Sequence, residues 1–257
     1  MRIDVWSDIL CPFCHLGRRH LQLALEQFEH GSEVEVVWHS FQLDRTAPAV
    51  DETPAVERVA AKYGVPHDQM VAQHERMAAD AAAVGLDFQW QRLRGGNSYD
   101  AHRLIHLARA LGREDEVTER VMRAWYSEGE SIGDPETLVR LATEAGLPED
   151  AVRSLLAGDA HGIDVRTDLA LASQAGITSV PTFVLDQQYG VTGAQPVDVL
   201  LGAVRQVWEL QGTGPEPVSE AGGCGAGCCG GVCGSGADAV DETAEAADAG
   251  EPAVASH

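Results

Sequence analysis

The sequence predicts an α/β fold in which an all-helical block interrupts a sheet domain and an acidic tail follows. Three observations lead there. Residues 1–45 read as strand, helix, strand; the hydrophobic period turns helical from about 51 to 176; β character then returns before a closing helix. The predicted parts are a first sheet segment at 1–45, an inserted helical domain at 46–176, a second sheet segment at 177–211, and a disordered tail at 212–257.

The elements follow in order. Ile3-Asp4-Val5-Trp6 alternates apolar and polar residues, as a strand does, and Leu21, Leu23, Ala24, Leu25 and Phe28 supply the buried face of a helix. Gly31-Ser32 turns the chain into a second strand at 34–41. The helical block is punctuated by Pro near starts and Gly just past ends. Pro54 to Gly64 frames one helix and Pro66 to Gly85 a second. Asn97 or Ser98 caps a third that stops at Gly112, and Val117, Val121, Met122 and Trp125 mark a fourth. Asp134-Pro135 opens a helix ending at Gly146, Pro148 opens a short one, and Asp164 to Ala175 is the last. Residues 177–185 are apolar and β-branched and read as a strand. Asp186-Gln187-Gln188 turns into a return strand at 189–193, and 197–210 reads as an amphipathic helix. Met70 and Met77, a heptad apart, are expected in the core.

The 257 residues suffice for one substantial core, and 44% hydrophobic with 23% charged residues is ordinary for a globular protein. A net charge of −22 argues against nucleic-acid and anionic-membrane partners, which need basic surfaces. With no apolar run of bilayer-spanning length, and with strand-like sequence directly after Met1-Arg2, a cytoplasmic location is expected. The tail holds eight acidic residues and no Lys or Arg among Gly, Ala, Pro and Ser, too little apolar surface to offset its ordering entropy.

Cys11-Pro12-Phe13-Cys14 stands where the first strand runs into the first helix, the thioredoxin-like redox arrangement. A helix start offers unpaired N–H groups and the positive end of the dipole, which stabilise a thiolate at Cys11. Cys14, one turn on, can displace a substrate from a mixed disulfide at Cys11. Pro12 suits an early helical position, where its missing N–H costs nothing. His15 has two readings: a solvent-facing imidazole, or a cation that tunes the thiolate. Half of a zinc site is the competing view of the pair, but residues 15–212 lack a partner knuckle. Alone, Val180-Pro181 reads as an ordinary trans proline opening a strand; beside a Cys-x-x-Cys helix it is expected to be cis, with the Val180 backbone offered to an extended substrate.

Taken together, Ile3 to Asp8 running into Cys11–Gly17, Trp38-His39-Ser40-Phe41-Gln42-Leu43-Asp44, Asn97-Ser98, Asp100–Leu104, Gly176-Ile177, Val180–Phe183 and Tyr189–Pro196 resemble the DsbA family, most closely its FrnE-like branch. The likeness covers about residues 1–211. It implies a thioredoxin fold with an inserted helical domain and thiol–disulfide oxidoreductase or isomerase activity. Cys11 would be the attacking thiol, Cys14 the resolving thiol and Pro181 the cis-proline beside them, with Val180, Pro12, Phe13 and His15 facing substrate. Relatives commonly carry Trp at the position of Phe13 and an aromatic at that of His15, differences that bear on redox poise. Asn97 and His102 of the helical block would line the cleft facing Cys11. Kappa-class glutathione transferases and hydroxychromene-carboxylate isomerases share this layout but typically place Ser at the position of Cys11.

His102 and His106 have the spacing of a two-histidine metal face, but packing between parts of the chain is the preferred reading. Cys224, Cys228, Cys229 and Cys233 could hold zinc or copper(I), relay electrons to the Cys11–Cys14 pair, or do neither. The expected function is thiol–disulfide exchange with a protein or small-molecule disulfide or dithiol, with no cofactor required. The alternatives are a glutathione-type isomerase or transferase, and a metal-binding or redox-sensing protein acting through its tail.

Overall fold

The computed structural model describes residues 1–212; the predicted tail and its cysteines lie outside them. The chain begins with β1 (Arg2–Ser7), α1 (Pro12–Glu26) and β2 (Glu35–Ser40). It continues through β3 (Val50–Pro54), α2 (Ala55–Tyr63), α3 (His67–Ala83) and β4 (Arg94–Gly96). Next come α4 (Tyr99–Ala110), α5 (Glu114–Arg123), α6 (Pro135–Glu144), α7 (Glu149–Ala157) and α8 (Gly162–Gln174). β5 (Thr182–Leu185), β6 (Tyr189–Thr192) and α9 (Val197–Gly212) close the described chain.

The main sheet has the order β2–β1–β5–β6. β1 pairs parallel with β2, Trp6 opposite His39, and antiparallel with β5, Val5 opposite Phe183. The two-residue period of β1 divides its side chains between two faces. Ile3 and Val5 join Phe183, Leu185, Leu21 and Ala24 of α1, and Leu200 and Val204 of α9 in one core. Asp4 and Trp6 are directed to the other face, where the Trp6 indole N–H donates to the Asp168 carbonyl on α8 at 3.2 Å. This is the thioredoxin-like α/β arrangement anticipated from the resemblance. A second core gathers Leu104 and Ala108 of α4, Val117 and Val121 of α5, and Leu138 and Leu141 of α6, with Ile9 from the loop after β1. Met70 and Met77 are buried.

Helix ends follow the local chemistry. The Asp134 carboxylate accepts from the Thr137 N–H at 2.8 Å and Pro135 follows it as the first helical residue, while Gly64 ends α2 with φ of 65°. Three departures from expectation have physical causes. Val50–Pro54 and Arg94–Gly96 pair as a short antiparallel ribbon inside the stretch read as wholly helical. Its Asp51, Glu52 and Thr53 carry no apolar alternation, so nothing marks them as a strand. The strand read at 177–185 begins only at Thr182, because the Ile177 N–H donates to Ala172 O at 2.8 Å and closes the end of α8 instead. After α5 the chain makes a π-turn over Ala124–Glu128 before Gly129 reverses it. No helix among the described residues is long and apolar enough to cross a membrane.

Candidate active site

β1 and β2 are parallel, so Ser7 and Ser40 end together and both following loops leave the same edge of the sheet. The buried Asp8 carboxylate fixes this edge, accepting from Leu10 N at 3.2 Å and Leu43 N at 2.8 Å. Asp8 O in turn accepts from Cys11 N at 3.1 Å, which sets the start of α1. Cys11 is the N-cap residue, with φ −90° and ψ 111°, and its carbonyl accepts from Cys14 N at 2.8 Å. The Cys11 sulfur therefore sits at the positive end of a fifteen-residue helix.

Across the loop, the Val180–Pro181 peptide is cis and the Cys11 Sγ lies 3.7 Å from Val180 O. Pro181 is held from behind by Gly17 of α1, whose missing side chain leaves room for it, and by the Gly193 N–H, which donates to Pro181 O at 2.8 Å. Cys11 is 4% exposed and Cys14 fully buried, and both are free thiols. Burial pushes the Cys14 thiol up, as does the neighbouring Cys11, while the backbone of Asp8 and the Ser7 hydroxyl act in the opposite sense. Pro12 is half-buried and Phe13 is 41% exposed beside the thiols.

His15 departs from both sequence readings. It is 6% exposed, lies flat on the Tyr126 ring at 4.6 Å, and places Nδ1 3.4 Å from Met122 Sδ. Burial, and then the Arg18 charge, depress it to about 4, so it is neutral at physiological pH and carries no charge to tune Cys11. Tyr126 closes the back of the site, its hydroxyl donating to Ile9 O at 2.8 Å.

Behind β1 and β2 lies a buried polar network in which His106 packs between parts of the chain, as preferred for it, with partners that the sequence did not identify. His39 stacks on Trp6 at 4.5 Å and bridges Asp4 (Nε2 to Oδ1, 2.7 Å) and Asp168 (Nδ1 to Oδ1, 2.8 Å). Asp168 also accepts from Ser40 N at 2.8 Å and meets His106 Nε2 at 3.1 Å. Burial lowers the His39 pKa, but the hydrogen bonds it donates to Asp168 and Asp4 outweigh it and the net shift is upward. Asp168 is held far below the usual carboxylate range, the histidine and Ser40 hydrogen bonds overcoming its burial. His102 donates to Phe41 O at 2.9 Å and lies 3.6 Å from Asp8. Both histidines thus join helix α4 to the loops and strands of the site. Asn97 does similar work, its amide accepting from Gln42 and donating to Ala47 O. Among the described residues no group of three His, Cys, Asp or Glu could hold a metal ion. The four tail cysteines, Cys224, Cys228, Cys229 and Cys233, fall outside the described residues.

Residues 2–205 match the model of the DSBA-like thioredoxin domain. A Bacillus subtilis protein of unknown function, YwbO, is 30% identical over 206 residues, spanning 79% of this chain and 96% of its own. Among solved structures, a probable DsbA oxidoreductase from Streptomyces coelicolor, SCO1869, is 40% identical with a TM-score of 0.80 and covers 88% of this chain and 96% of its own. The cytosolic disulfide reductase DsbM from Pseudomonas aeruginosa, solved with GSH, shares the fold at 19% identity and a TM-score of 0.58, over 81% of this chain and all of its own.

Proposed function

From the premise that the chain belongs to the DsbA-like thioredoxin family, we propose that it is a thiol–disulfide oxidoreductase acting through Cys11 and Cys14. The observation that carries this reading is the Cys11 sulfur at the start of α1, 3.7 Å from the carbonyl before Pro181, with a second thiol buried one turn behind it. Cys11 as thiolate attacks one sulfur of a substrate disulfide. The substrate S–S bond breaks, its other sulfur leaves as a thiolate and takes a proton, and Cys11 is joined to substrate. Cys14 then loses its proton, attacks Cys11 Sγ, and expels the second substrate sulfur. Two electrons have passed from the dithiol to the substrate, leaving a Cys11–Cys14 disulfide that a dithiol reductant restores. With the pair oxidised at the outset, the same steps in reverse oxidise a substrate dithiol.

The surroundings of the two thiols support different duties for them. Cys11 has the helix start and an accessible rim of Pro12, Phe13 and Val180. Cys14 is sealed beneath it, and its raised pKa keeps it protonated until a mixed disulfide draws it out. This division favours dithiol exchange over a glutathione-type isomerase, for which one thiol suffices. The finer placement in the FrnE-like branch rests on the stretch from Trp38 to Asp44 and the resemblance around it.

The test is reduction of a protein disulfide by a dithiol reductant with the full-length chain. Cys11→Ala brings turnover to the uncatalysed background. Cys14→Ser halts after the first step, and a mixed disulfide accumulates that mass spectrometry detects. Full turnover by Cys14→Ser would instead favour the one-thiol chemistry of an isomerase or transferase.

A further inference from the structure

Beside the loops that carry Cys11 lies a cleft of about 440 Å³ that the thiol chemistry does not use. Arg45 stands on one side, in the loop after β2, and Arg166 of α8 on another. Gln42, Asn97 and Leu169 contribute to its lining. The Gln42 and Asn97 side chains brace one another at 2.9 Å. The cleft is tied to the reacting sulfur through short links. Leu43 N donates to the Asp8 carboxylate, and Asp8 O accepts from Cys11 N. With Cα atoms about 3.8 Å apart along the chain, the Arg45 backbone lies no more than about 20 Å from Cys11.

The charges in this cleft do not cancel. Asp100 is paired to Arg103 at 2.7 Å, and Arg166 to Asp159 at 3.1 Å. Arg45 is exposed and has no carboxylate partner among the described residues. The first turn of α4 reaches the same lining at Tyr99, whose N–H donates to Asn97 Oδ1 at 2.9 Å, and at Asp100. The overall charge of −22 opposes an anion at long range, yet at physiological salt the screening length is only about 8 Å, so the nearest groups decide. The volume exceeds that of a simple inorganic anion, and Leu169 gives it an apolar wall beside the amides of Gln42 and Asn97. Such a lining suits a short stretch of peptide.

We propose that this cleft is a substrate subsite that receives an acidic side chain, Asp or Glu, of a peptide whose disulfide lies at Cys11. The proposal rests on the oxidoreductase reading and adds a substrate class to it. An extended peptide advances about 3.3 Å per residue, so the acidic residue belongs within about six residues of the reacting cysteine. Arg45 supplies the unpaired charge, and Arg166 the second cation once the carboxylate competes with Asp159.

The experiment uses the full-length protein and mixed-disulfide peptides with Glu placed in turn at each of six positions on either side of the cysteine, each beside a Gln counterpart. Wild type is expected to show a Glu-over-Gln preference in kcat/KM of about three- to tenfold at one or two positions. In Arg45→Gln that ratio falls to near one, in Arg45→Lys it is retained, and in Arg45→Glu it inverts. A ratio near one in wild type at every position, or a ratio unchanged in Arg45→Gln, overturns the subsite. Failure of wild type to reduce any of the peptides counts against the oxidoreductase reading instead. Fluorescence anisotropy of labelled, cysteine-free Glu and Gln peptides then decides the cleft separately: tighter binding of the Glu peptide, lost in Arg45→Gln, upholds it, and equal binding overturns it.

Discussion

His15 illustrates how a side chain next to reactive groups acquires a role from what covers it. Stacked on Tyr126 and depressed to about 4, it stays neutral in the folded protein while the unfolded chain binds a proton near the usual 6.5. A folded pKa below the unfolded one means stability is present above 6.5 and lost as pH falls through that window, by on the order of 3 kcal/mol at its lower end. His39 acts in the opposite sense: its folded pKa is raised, so its contribution is complete below 6.5 and is lost as pH rises through the raised value. His15→Phe keeps a flat ring on Tyr126 and removes the titrating group. Urea midpoints of the variant are expected to fall less than those of wild type between pH 7 and pH 4.5. The Cys-x-x-Cys pair was legible because its meaning is carried by neighbours in sequence, and the cis Val180–Pro181 bond was legible only through that pair. The burial of His15 was not, since the sulfur against its ring belongs to Met122, 107 residues away.

At the scale of elements, the approach of α1 to the start of β5 shapes the site. A Cβ on Gly17 would stand 2.9 Å from Pro181 Cγ and 3.3 Å from Phe183 Cζ, inside normal contact. The sequence shows only a glycine within a helix, ordinarily a cost of about 1 kcal/mol against alanine. The structure supplies the reason for it. Gly17→Ala should therefore destabilise the protein by about 1–3 kcal/mol despite its better helix propensity, and lower turnover by shifting Val180 from Cys11. A thermal melt and a reductase rate on the same sample check both. Most helix boundaries were readable because Pro and Gly act locally on the backbone; the π-turn over Ala124–Glu128 contains neither and was not. The β3–β4 ribbon was invisible because its pairing joins polar segments about 40 residues apart, with Gly95 packed against the Asp51 side chain.

Across the whole molecule, the network of Asp4, His39, Asp168 and His106 fastens the sheet to α8 and α4 where apolar packing alone would set no register. Asp168 is its hub, holding two imidazoles and the Ser40 N–H. Asp168→Ala leaves those donors buried without their acceptor, and a loss of about 3–5 kcal/mol is expected from chemical denaturation. Exchanging the same residue for Asn, which preserves an acceptor, should cost less. No reading of the sequence could assemble this group, because its members are spread from the first strand to the last helix of the helical block. The alternation of β1 foretold a two-faced strand, but not that its polar face would be buried against charge.

Cys11 meets the carbonyl of Val180 across 169 residues of intervening chain. Ribosomes add about 5–20 residues per second, so roughly 10–30 s pass between the emergence of the dithiol and of the segment that seals it. Until the Val180 segment arrives, the dithiol at the start of α1 stands without the carbonyl that later lies 3.7 Å from the Cys11 sulfur.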